Sequence, residues 1–134
     1  MRYGVYGAVI KEGRLLFVKN DSHYILPGGK PNEDDGSEKE TLRREFSEEI
    51  SGTRVRIGKY YGTFRGKTPN SGKDIEARVY LCELEGEVGK PSAEITDVVW
   101  VGREDVGNYE IAQVSLNVFN SLDEEGYLLI HDKK

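Results

Sequence analysis

Three glutamates in one short segment are the residues of this chain that are best suited to chemistry. The segment reads REFSEE over residues 44–49 and contains Glu45, Glu48 and Glu49. At ~100° per residue, a helix brings positions i, i+3 and i+4 onto one side, so the three carboxylates would lie together. Carboxylate oxygens are hard ligands that suit Mg²⁺ or Mn²⁺. The spacing therefore predicts a metal site on a helix.

A solvated helix face rich in glutamate is the alternative, and two local costs argue against it. Glu45 and Glu49 are like charges at i,i+4, a pair that destabilises a helix by ~0.2–0.5 kcal/mol. Glu48 and Glu49 fall in the last turn, where the helix dipole disfavours anions by ~0.3–1 kcal/mol. We expect Arg44 to offset part of this cost by pairing with Glu40 and Glu48. A bound divalent cation would remove the remaining repulsion.

A proline and two glycines precede this helix. Pro27, Gly28 and Gly29 end an apolar run and predict a turn. Without Cβ atoms, the two glycines would let the backbone approach a metal or a phosphate closely. A plain turn is the alternative when the motif is considered alone.

Together, Gly29 and the REFSEE segment resemble the signature of the Nudix hydrolases. That signature is a Gly, five residues, a Glu, seven residues, and then R-E-apolar-x-E-E-x-G-apolar. The three helix glutamates match it, and the Pro-Gly-Gly turn lies ahead of them. The resemblance extends over most of the chain.

The sequence departs from this signature at two places. One residue too many separates Gly29 from the helix motif, so Gly36 stands where the signature has its first Glu, with Asp34 and Asp35 just before it. Ser51 stands where the signature has Gly, and a glycine follows one residue later. Neither departure affects the three helix carboxylates.

The resemblance implies a specific site. Its metal ligands, for Mg²⁺ or Mn²⁺, would be Glu45, Glu48, Glu49 and the backbone carbonyl of Gly29 or Gly28. Arg44 would orient the carboxylates through salt bridges. The base that deprotonates the attacking water stays open between Glu45, Glu48 and Glu94, the last of which lies shortly before a Trp-Val pair.

The implied reaction is hydrolysis of the pyrophosphate bond in a nucleoside diphosphate linked to another group. A nucleoside triphosphate, including oxidised purine forms, is the first candidate substrate, and ADP-ribose or another nucleotide sugar is the alternative. The glycines at 28 and 29 would let the backbone approach the phosphates. Arg65, Lys67 and Lys73 could contact a polyphosphate from the loop that follows the fourth strand, and a merely solvated loop is the alternative. Base stacking would come from Tyr6 or from other aromatic residues, namely Tyr3, Tyr24 and Phe64, unless all of these belong to the core.

Two non-enzymatic alternatives remain. A Nudix-fold module that binds a nucleotide without cleaving it is the first, but such modules tend to lose a motif carboxylate, and all three are present here. A purely structural helix rich in glutamate is the second.

The elements that position the site follow from capping and hydrophobic spacing. Ser37, with Glu40 three residues later, forms a capping-box pattern and fixes the helix start. Leu42, Phe46 and Ile50 recur every four residues, so this side of the helix faces a core.

Strands surround this helix, and a second helix follows them. The predicted strands are Tyr3–Lys11, Arg14–Lys19, Tyr24–Leu26, Arg54–Arg65, Asp74–Glu85 and Val98–Val101. Ile111–Leu122 has helical spacing, and Tyr127–Lys134 is a tail to which no element is assigned. This order predicts an α/β (α+β) fold in which a central mixed sheet lies between helices. It is also the order of the Nudix α/β/α sandwich, and we expect a single domain over residues 1–134.

Composition limits the partners and the compartment. A net charge of −5 argues against binding a nucleic acid polymer. No apolar run approaches the ~20 residues of a membrane span. Cys82 is the single cysteine and lies in an apolar run, so we expect it to pack as a small hydrophobe in a cytoplasmic protein. A monomer or a homodimer that acts on a small nucleotide fits these features.

Overall fold

Nine strands and two α-helices form in the described part of the computed structural model, which comprises residues 2–69 and 71–129. The strands are β1 (Arg2–Lys11), β2 (Arg14–Asn20), β3 (His23–Ile25), β4 (Gly28–Gly29), β5 (Ile50–Ser51), β6 (Arg54–Lys67), β7 (Asp74–Glu85), β8 (Lys90–Pro91) and β9 (Ile95–Val101). The helices are α1 (Glu38–Glu49) and α2 (Gln113–Glu124). Most of the predicted tail, from residue 130 onward, lies outside the described residues. Neither of these helices is long and apolar enough to cross a membrane.

The central sheet is mixed. Its strands run in the order β3-β2-β1-β7-β6, with β4 beside β1 and β9 beside β2. Strands β1 and β7 are parallel, whereas β1–β2 and β6–β7 are antiparallel. Glu12 and Gly13 form the β1–β2 turn with φ of 54° and 74°, and this turn joins the two strands as a hairpin.

Alternating side chains give the sheet two buried faces, because successive residues of a strand point to opposite sides. On β2, Leu15 and Phe17 join the cluster that contains α2 residues Val118 and Phe119. Leu16 belongs to the second cluster, with α1 residues among its members. The sheet therefore lies between α1 and α2, as the element order predicted.

Three local features differ from the predictions. Gly28 and Gly29 form a short strand instead of a turn, because their extended backbone pairs with Tyr6 and Val5 of β1. The link before β9 contains strand β8, which pairs with β5 and ties the end of α1 to this link. Helix α2 begins two residues later than predicted because Ile111 bridges to Tyr24 of β3.

Candidate active site

Helix α1 begins and packs as its sequence predicts. The Ser37 hydroxyl accepts a hydrogen bond from the Glu40 backbone N–H at 3.2 Å. Leu42, Phe46 and Ile50 are fully buried against the sheet. This packing fixes the rotation of the helix, and with it the direction of its carboxylates.

Two of the three predicted carboxylates meet the Gly-Gly strand. The Glu49 Oε1 atom accepts a hydrogen bond from the Gly28 N–H at 3.2 Å. A Cβ atom on Gly29 would lie 2.7 Å from the Glu45 carboxyl carbon, so only glycine allows this approach. Gly28 has φ of 144°, and a Cβ there would lie 2.1 Å from the Val5 carbonyl oxygen.

Glu49 is in an environment that disfavours its negative charge. Burial raises the pKa of its carboxyl group well above the usual range, and the nearby carboxylates of Glu45 and Glu94 raise it further. Burial, followed by the charges of Glu49 and Glu45, also raises the pKa of the Tyr6 hydroxyl to about 12. The last turn of α1 contains no basic residue. A cation at this position would therefore be favoured by several groups at once.

Arg44 connects the helix glutamates to the preceding loop. Its guanidinium donates to Glu45 at 3.1 Å and to Glu48 at 3.3 Å. The pair expected with Glu48 forms, and Asp35 occupies the place that we expected for Glu40, at 3.0 Å from Arg44 Nη2. Hydrogen bonds from Arg44 hold the pKa of Asp35 well below its usual range. The sequence analysis noted Asp35 only as a neighbour of Gly36 and gave it no role.

The oxygen ligands offered here suit a hard divalent cation, although only two of the three helix carboxylates lie at the glycine strand. Glu45 and Glu49 offer adjacent carboxylates beside Gly29, where the absence of a side chain leaves the backbone accessible. The side chain of Glu48 is 53% exposed and stays with Arg44. Within residues 2–69 and 71–129, no three acidic, histidine or cysteine side chains form a metal-binding group. Two carboxylates and the glycine backbone thus fit the ion, and Glu48 would have to turn inward to join them.

A cavity of about 300 Å³ lies between the sheet and α2. Tyr6 lines it and also contacts the backbone of Gly28. Gly4 leaves room for the Tyr6 ring, because a Cβ there would lie 2.7 Å from the Tyr6 hydroxyl oxygen. Of the four aromatic residues predicted for base stacking, Tyr6 is the one that lines this cavity.

The other predicted contacts have partners elsewhere. Tyr3 stacks under the Arg78 guanidinium at 3.9 Å, the Tyr24 hydroxyl donates to Asp97, and Phe64 stacks on Tyr61. Arg65 is 66% exposed and pairs with Glu76 at 3.0 Å, outside the cavity lining. Glu94 is exposed on the segment before β9, where its charge still acts on Glu49.

The cavity also has polar lining residues to which the sequence assigned no role, among them Arg2, Asn20 and Ser115. They come from β1, β2 and α2, and no local pattern links them. Ser115 is buried on α2, and its hydroxyl accepts the Leu26 N–H at 3.1 Å, which fixes α2 against the strand that leads to the glycines.

The comparisons with known proteins agree on one family. The model of the family described as NUDIX domain matches residues 2–122. A MutT-like protein from Streptomyces ambofaciens is 29% identical over 134 residues, which is 97% of this chain and 83% of that protein. The crystal structure of a MutT protein from Methanosarcina mazei has a TM-score of 0.76 and 25% identity, with 92% of this chain and 94% of that chain covered. The Nudix domain of NrtR from Shewanella oneidensis, complexed with ADP ribose, has a TM-score of 0.72 and 18% identity, with 93% and 88% covered.

Proposed function

The chain belongs to the Nudix family of pyrophosphohydrolases, and from this premise we propose that it cleaves a nucleoside triphosphate to the monophosphate and pyrophosphate. The observation that carries the proposal is the meeting of Glu45 and Glu49 at the Gly28–Gly29 strand, where Gly28 pairs with Tyr6 of the cavity lining. A carboxylate pair supplies the charge that a phosphate-bound cation needs. The neighbouring cavity supplies room for the rest of the nucleotide.

Nudix enzymes generally use divalent metal ions, and we propose Mg²⁺ or Mn²⁺ here. Glu45, Glu49 and the Gly29 carbonyl would hold the ion, with Glu48 added when it turns from Arg44. When bound, the ion would stabilise the negative charge that develops on the phosphoryl oxygens. Arg44 keeps the glutamates oriented, since its Nη1 group contacts both Glu45 and Glu48.

The bond changes are those of a simple hydrolysis. A water oxygen attacks one phosphorus atom, the bond from that phosphorus to the bridging oxygen breaks, and the proton of the water passes to a carboxylate. Glu45, Glu48 and Glu94 are the alternatives for this base. Burial raises the pKa of Glu49, and a bound cation would offset the cost of its buried charge, which favours a ligand role for it.

The cavity supports a nucleoside as the bound group. It has the size of a small-molecule site, and none of its described lining residues is acidic. Tyr6 offers a ring next to the carboxylates, and Asn20 offers an amide that can both donate and accept hydrogen bonds. Gly28 contacts Tyr6 and donates to Glu49, so it lies between the residue proposed to contact the base and a carboxylate proposed to hold the cation. A phosphate role for Arg65 would require release from Glu76.

ADP-ribose is the second candidate. The Nudix domain of NrtR, whose structure was determined with ADP ribose, has the same fold over 93% of this chain. The two candidates differ in the group beyond the diphosphate, so their products distinguish them. Retention of all three motif carboxylates favours either reaction over a binding module without catalysis.

One assay tests both candidates. The protein is incubated with Mg²⁺ and, separately, with each nucleoside triphosphate, an oxidised purine triphosphate, ADP-ribose and nucleotide sugars, and the phosphate-containing products are separated. We expect a nucleoside monophosphate and pyrophosphate from a triphosphate. Monophosphate and a sugar phosphate would support the second candidate instead. Turnover that persists in excess chelator would contradict the metal site.

Glu49→Gln tests the carboxylate itself. Glu40→Gln is its control, because it removes the same charge at an exposed position of the same helix.

A further inference from the structure

We propose that Ser92 and Ala93 are positioning residues that hold Glu94 at the Glu49 end of α1, through the turn that joins Ser92 to Ile95. The inference rests on the proposed function, in which Glu94 is one of three alternatives for the base. Neither Ser92 nor Ala93 belongs to the signature or to the described lining of the cavity.

Ser92 connects the link before β9 to the last turn of α1. The carbonyl groups of the last helical residues have no partner within a helix, so other groups must satisfy them. The Ser92 N–H donates to the Glu49 carbonyl at 2.9 Å, and the Ser92 hydroxyl donates to the Glu48 carbonyl. One residue outside the helix therefore holds the backbone of two site glutamates.

The residues before Ser92 are held against the segment that follows α1. Strand β8 pairs with β5, and a Cβ atom on Gly89 would lie 1.8 Å from the Ser51 carbonyl oxygen. The Gly89 N–H donates to the Thr53 hydroxyl at 2.6 Å. Because only glycine permits this approach, the chain reaches Ser92 along a fixed path.

The residue at the other end of the turn is fixed as well. Ile95 is buried, and it pairs with Asn20 of β2. Its N–H donates to the Ser92 carbonyl at 3.1 Å, which closes a four-residue turn with Ala93 and Glu94 at its centre. Both central residues are exposed. Glu94 is thus presented on the surface between two fixed residues.

Ala93 has a backbone conformation that alanine rarely adopts. Its φ is 56°, and Glu94 is not among the described residues with positive φ. A positive φ at only the first central residue is that of a type II′ turn, where glycine is the usual residue. A residue with a Cβ atom is strained in this conformation, so the fixed residues on both sides must impose it. Strained backbone of this kind is concentrated at functional sites.

The strained alanine restricts the positions that Glu94 can take. Glycine at residue 93 would allow several turn conformations, whereas alanine between two fixed residues allows fewer. Because the Ser92 N–H lies on the Glu49 carbonyl, the conformation that forms keeps Glu94 close to the last turn of α1. The charge of Glu94 acts on the Glu49 carboxyl group, in agreement with this placement.

The test measures kcat and KM with Mg²⁺ and ATP, GTP, CTP, UTP or ADP-ribose. Ala93→Gly should lower kcat by ~3–10-fold, because only molecules with the turn in its native conformation are competent. KM should stay within about twofold, since neither Ala93 nor Glu94 lines the cavity. The melting temperature should change little, because glycine removes the strain but gains freedom in the unfolded chain.

Glu12→Gly is the matched control. Glu12 has φ of 54° in the β1–β2 turn, so this variant also replaces a left-handed residue with glycine, in a turn that does not line the cavity. Its kcat should equal that of wild type. A similar fall in kcat for Glu12→Gly and Ala93→Gly would reveal a general effect of glycine and would overturn the proposal.

Two comparisons connect the effect to Glu94. Glu94→Gln should lower kcat by ~10²-fold or more, as the loss of a general base does. Ala93→Gly should cause no further loss in that background, because residues that act through one group are not additive. Ser92→Ala should also lower kcat, and Ser92→Thr, which keeps the hydroxyl donor, should retain the wild-type value.

The outcomes separate this proposal from the proposed function. If wild type hydrolyses a nucleotide and either Ala93→Gly or Glu94→Gln keeps full kcat, the positioning role is wrong and the proposed function stands. Equal losses from Ala93→Gly in the wild-type and Glu94→Gln backgrounds would also overturn it. A loss of kcat that follows a lowered melting temperature would mean that the turn only stabilises the fold. If wild type hydrolyses none of these compounds, both proposals are wrong.

Discussion

The two helices have the same length and cover opposite faces of one sheet, yet they are built differently. Helix α1 is capped by the Ser37 side chain and ends with Glu48 and Glu49, and its last turn contains no basic residue. Helix α2 lacks a side-chain cap at Ala112 and relies on packing, with Val118 among its buried residues. The second helix also ends with two acidic residues, Asp123 and Glu124, but Asp123 pairs with Arg103 at 2.7 Å, whereas burial withdraws Glu49 of the first helix from water.

This difference indicates where function competes with stability. Carboxylates at a helix C-terminus are disfavoured by the dipole, and Glu49 is also partly withdrawn from water. The buried residues of α1 and its cap must compensate for this arrangement. Helix α2 contributes mainly apolar surface and a wall of the cavity, and Arg103 balances the charge of Asp123 at its end. The predictions below test this contrast, starting with the largest expected effect.

Phe46→Ala should cause the largest loss of stability on the α1 side. Phe46 is fully buried, and its ring contacts Gly7 so closely that a Cβ there would lie 2.8 Å from it. Replacing a buried phenylalanine with alanine typically costs ~3–5 kcal/mol. Phe119→Ala on α2 is the matched variant and should lose a similar amount. Denaturant unfolding measures both, and an unchanged free energy of unfolding for Phe46→Ala would contradict the packing of α1.

Glu49→Gln should cause the largest loss of turnover. The amide keeps the shape of the side chain and its hydrogen bond from Gly28 but removes the charge that would hold a cation. Loss of a comparable electrostatic contact lowers turnover by ~10²–10³-fold. Mg²⁺ should also raise the melting temperature of wild type more than that of the variant. Full activity in the variant would mean that Glu49 is not part of the site.

Ser37→Ala tests the cap that α1 has and α2 lacks. Removing a serine N-cap costs ~1 kcal/mol, because the Glu40 N–H loses its acceptor. Thermal melts with and without Mg²⁺ should show this loss equally, since Ser37 is remote from the cation. A decrease confined to the Mg²⁺ sample would indicate that the helix start and the metal site are coupled.

A smaller effect of opposite sign is expected for Glu49→Gln in chelator. Because the folded-state pKa of Glu49 is raised, native protein holds a proton that unfolded protein, with a pKa of about 4.3, has already released. The stabilisation that protonated Glu49 gives the native state is fully present at low pH, and it decreases as the pH rises toward the folded-state pKa. The variant has no such loss, so its advantage in melting temperature should grow from about pH 5 to about pH 8. Clear destabilisation of the variant would indicate a structural role.

Local patterns predicted the elements of this fold well. Capping and four-residue spacing located α1, and strand β7 (Asp74–Glu85) has the predicted bounds. These features depend on neighbours in sequence. The pairing of Gly28–Gly29 with β1 depends on Tyr6 and Val5, which precede these glycines by 22 and 24 residues, and for that reason the pattern indicated only a turn.

The candidate site could be predicted in part, for the same reason. Glu45 and Glu49 meet at the glycines as helix geometry indicates, and Glu48 pairs with Arg44 as expected, but the sequence could not show that Glu48 would stay half-exposed instead of joining the other two carboxylates. Asp35 lies nine residues before Arg44, across a loop whose shape no periodicity describes. The cavity combines residues from four parts of the chain, and only the fold brings them together.

Cys82→Ser should have the smallest effect on turnover. It tests whether a change in the core that packs against α1 alters the chemistry of the α1 carboxylates. Cys82 is buried in the cluster that contains Phe46, and burial raises the pKa of its thiol to about 12. A thiol that stays protonated is a poor nucleophile and a poor metal ligand. Its Sγ–H donates to the Tyr80 carbonyl, on its own strand. Serine places a hydroxyl in an apolar cluster, so some stability should be lost, while turnover of the folded protein stays at the wild-type value. Turnover measured well below the melting temperature of the variant checks this. A folded variant that has lost most of its activity would contradict the prediction, because it would show that a packing change in the α1 core affects the glutamates of the site.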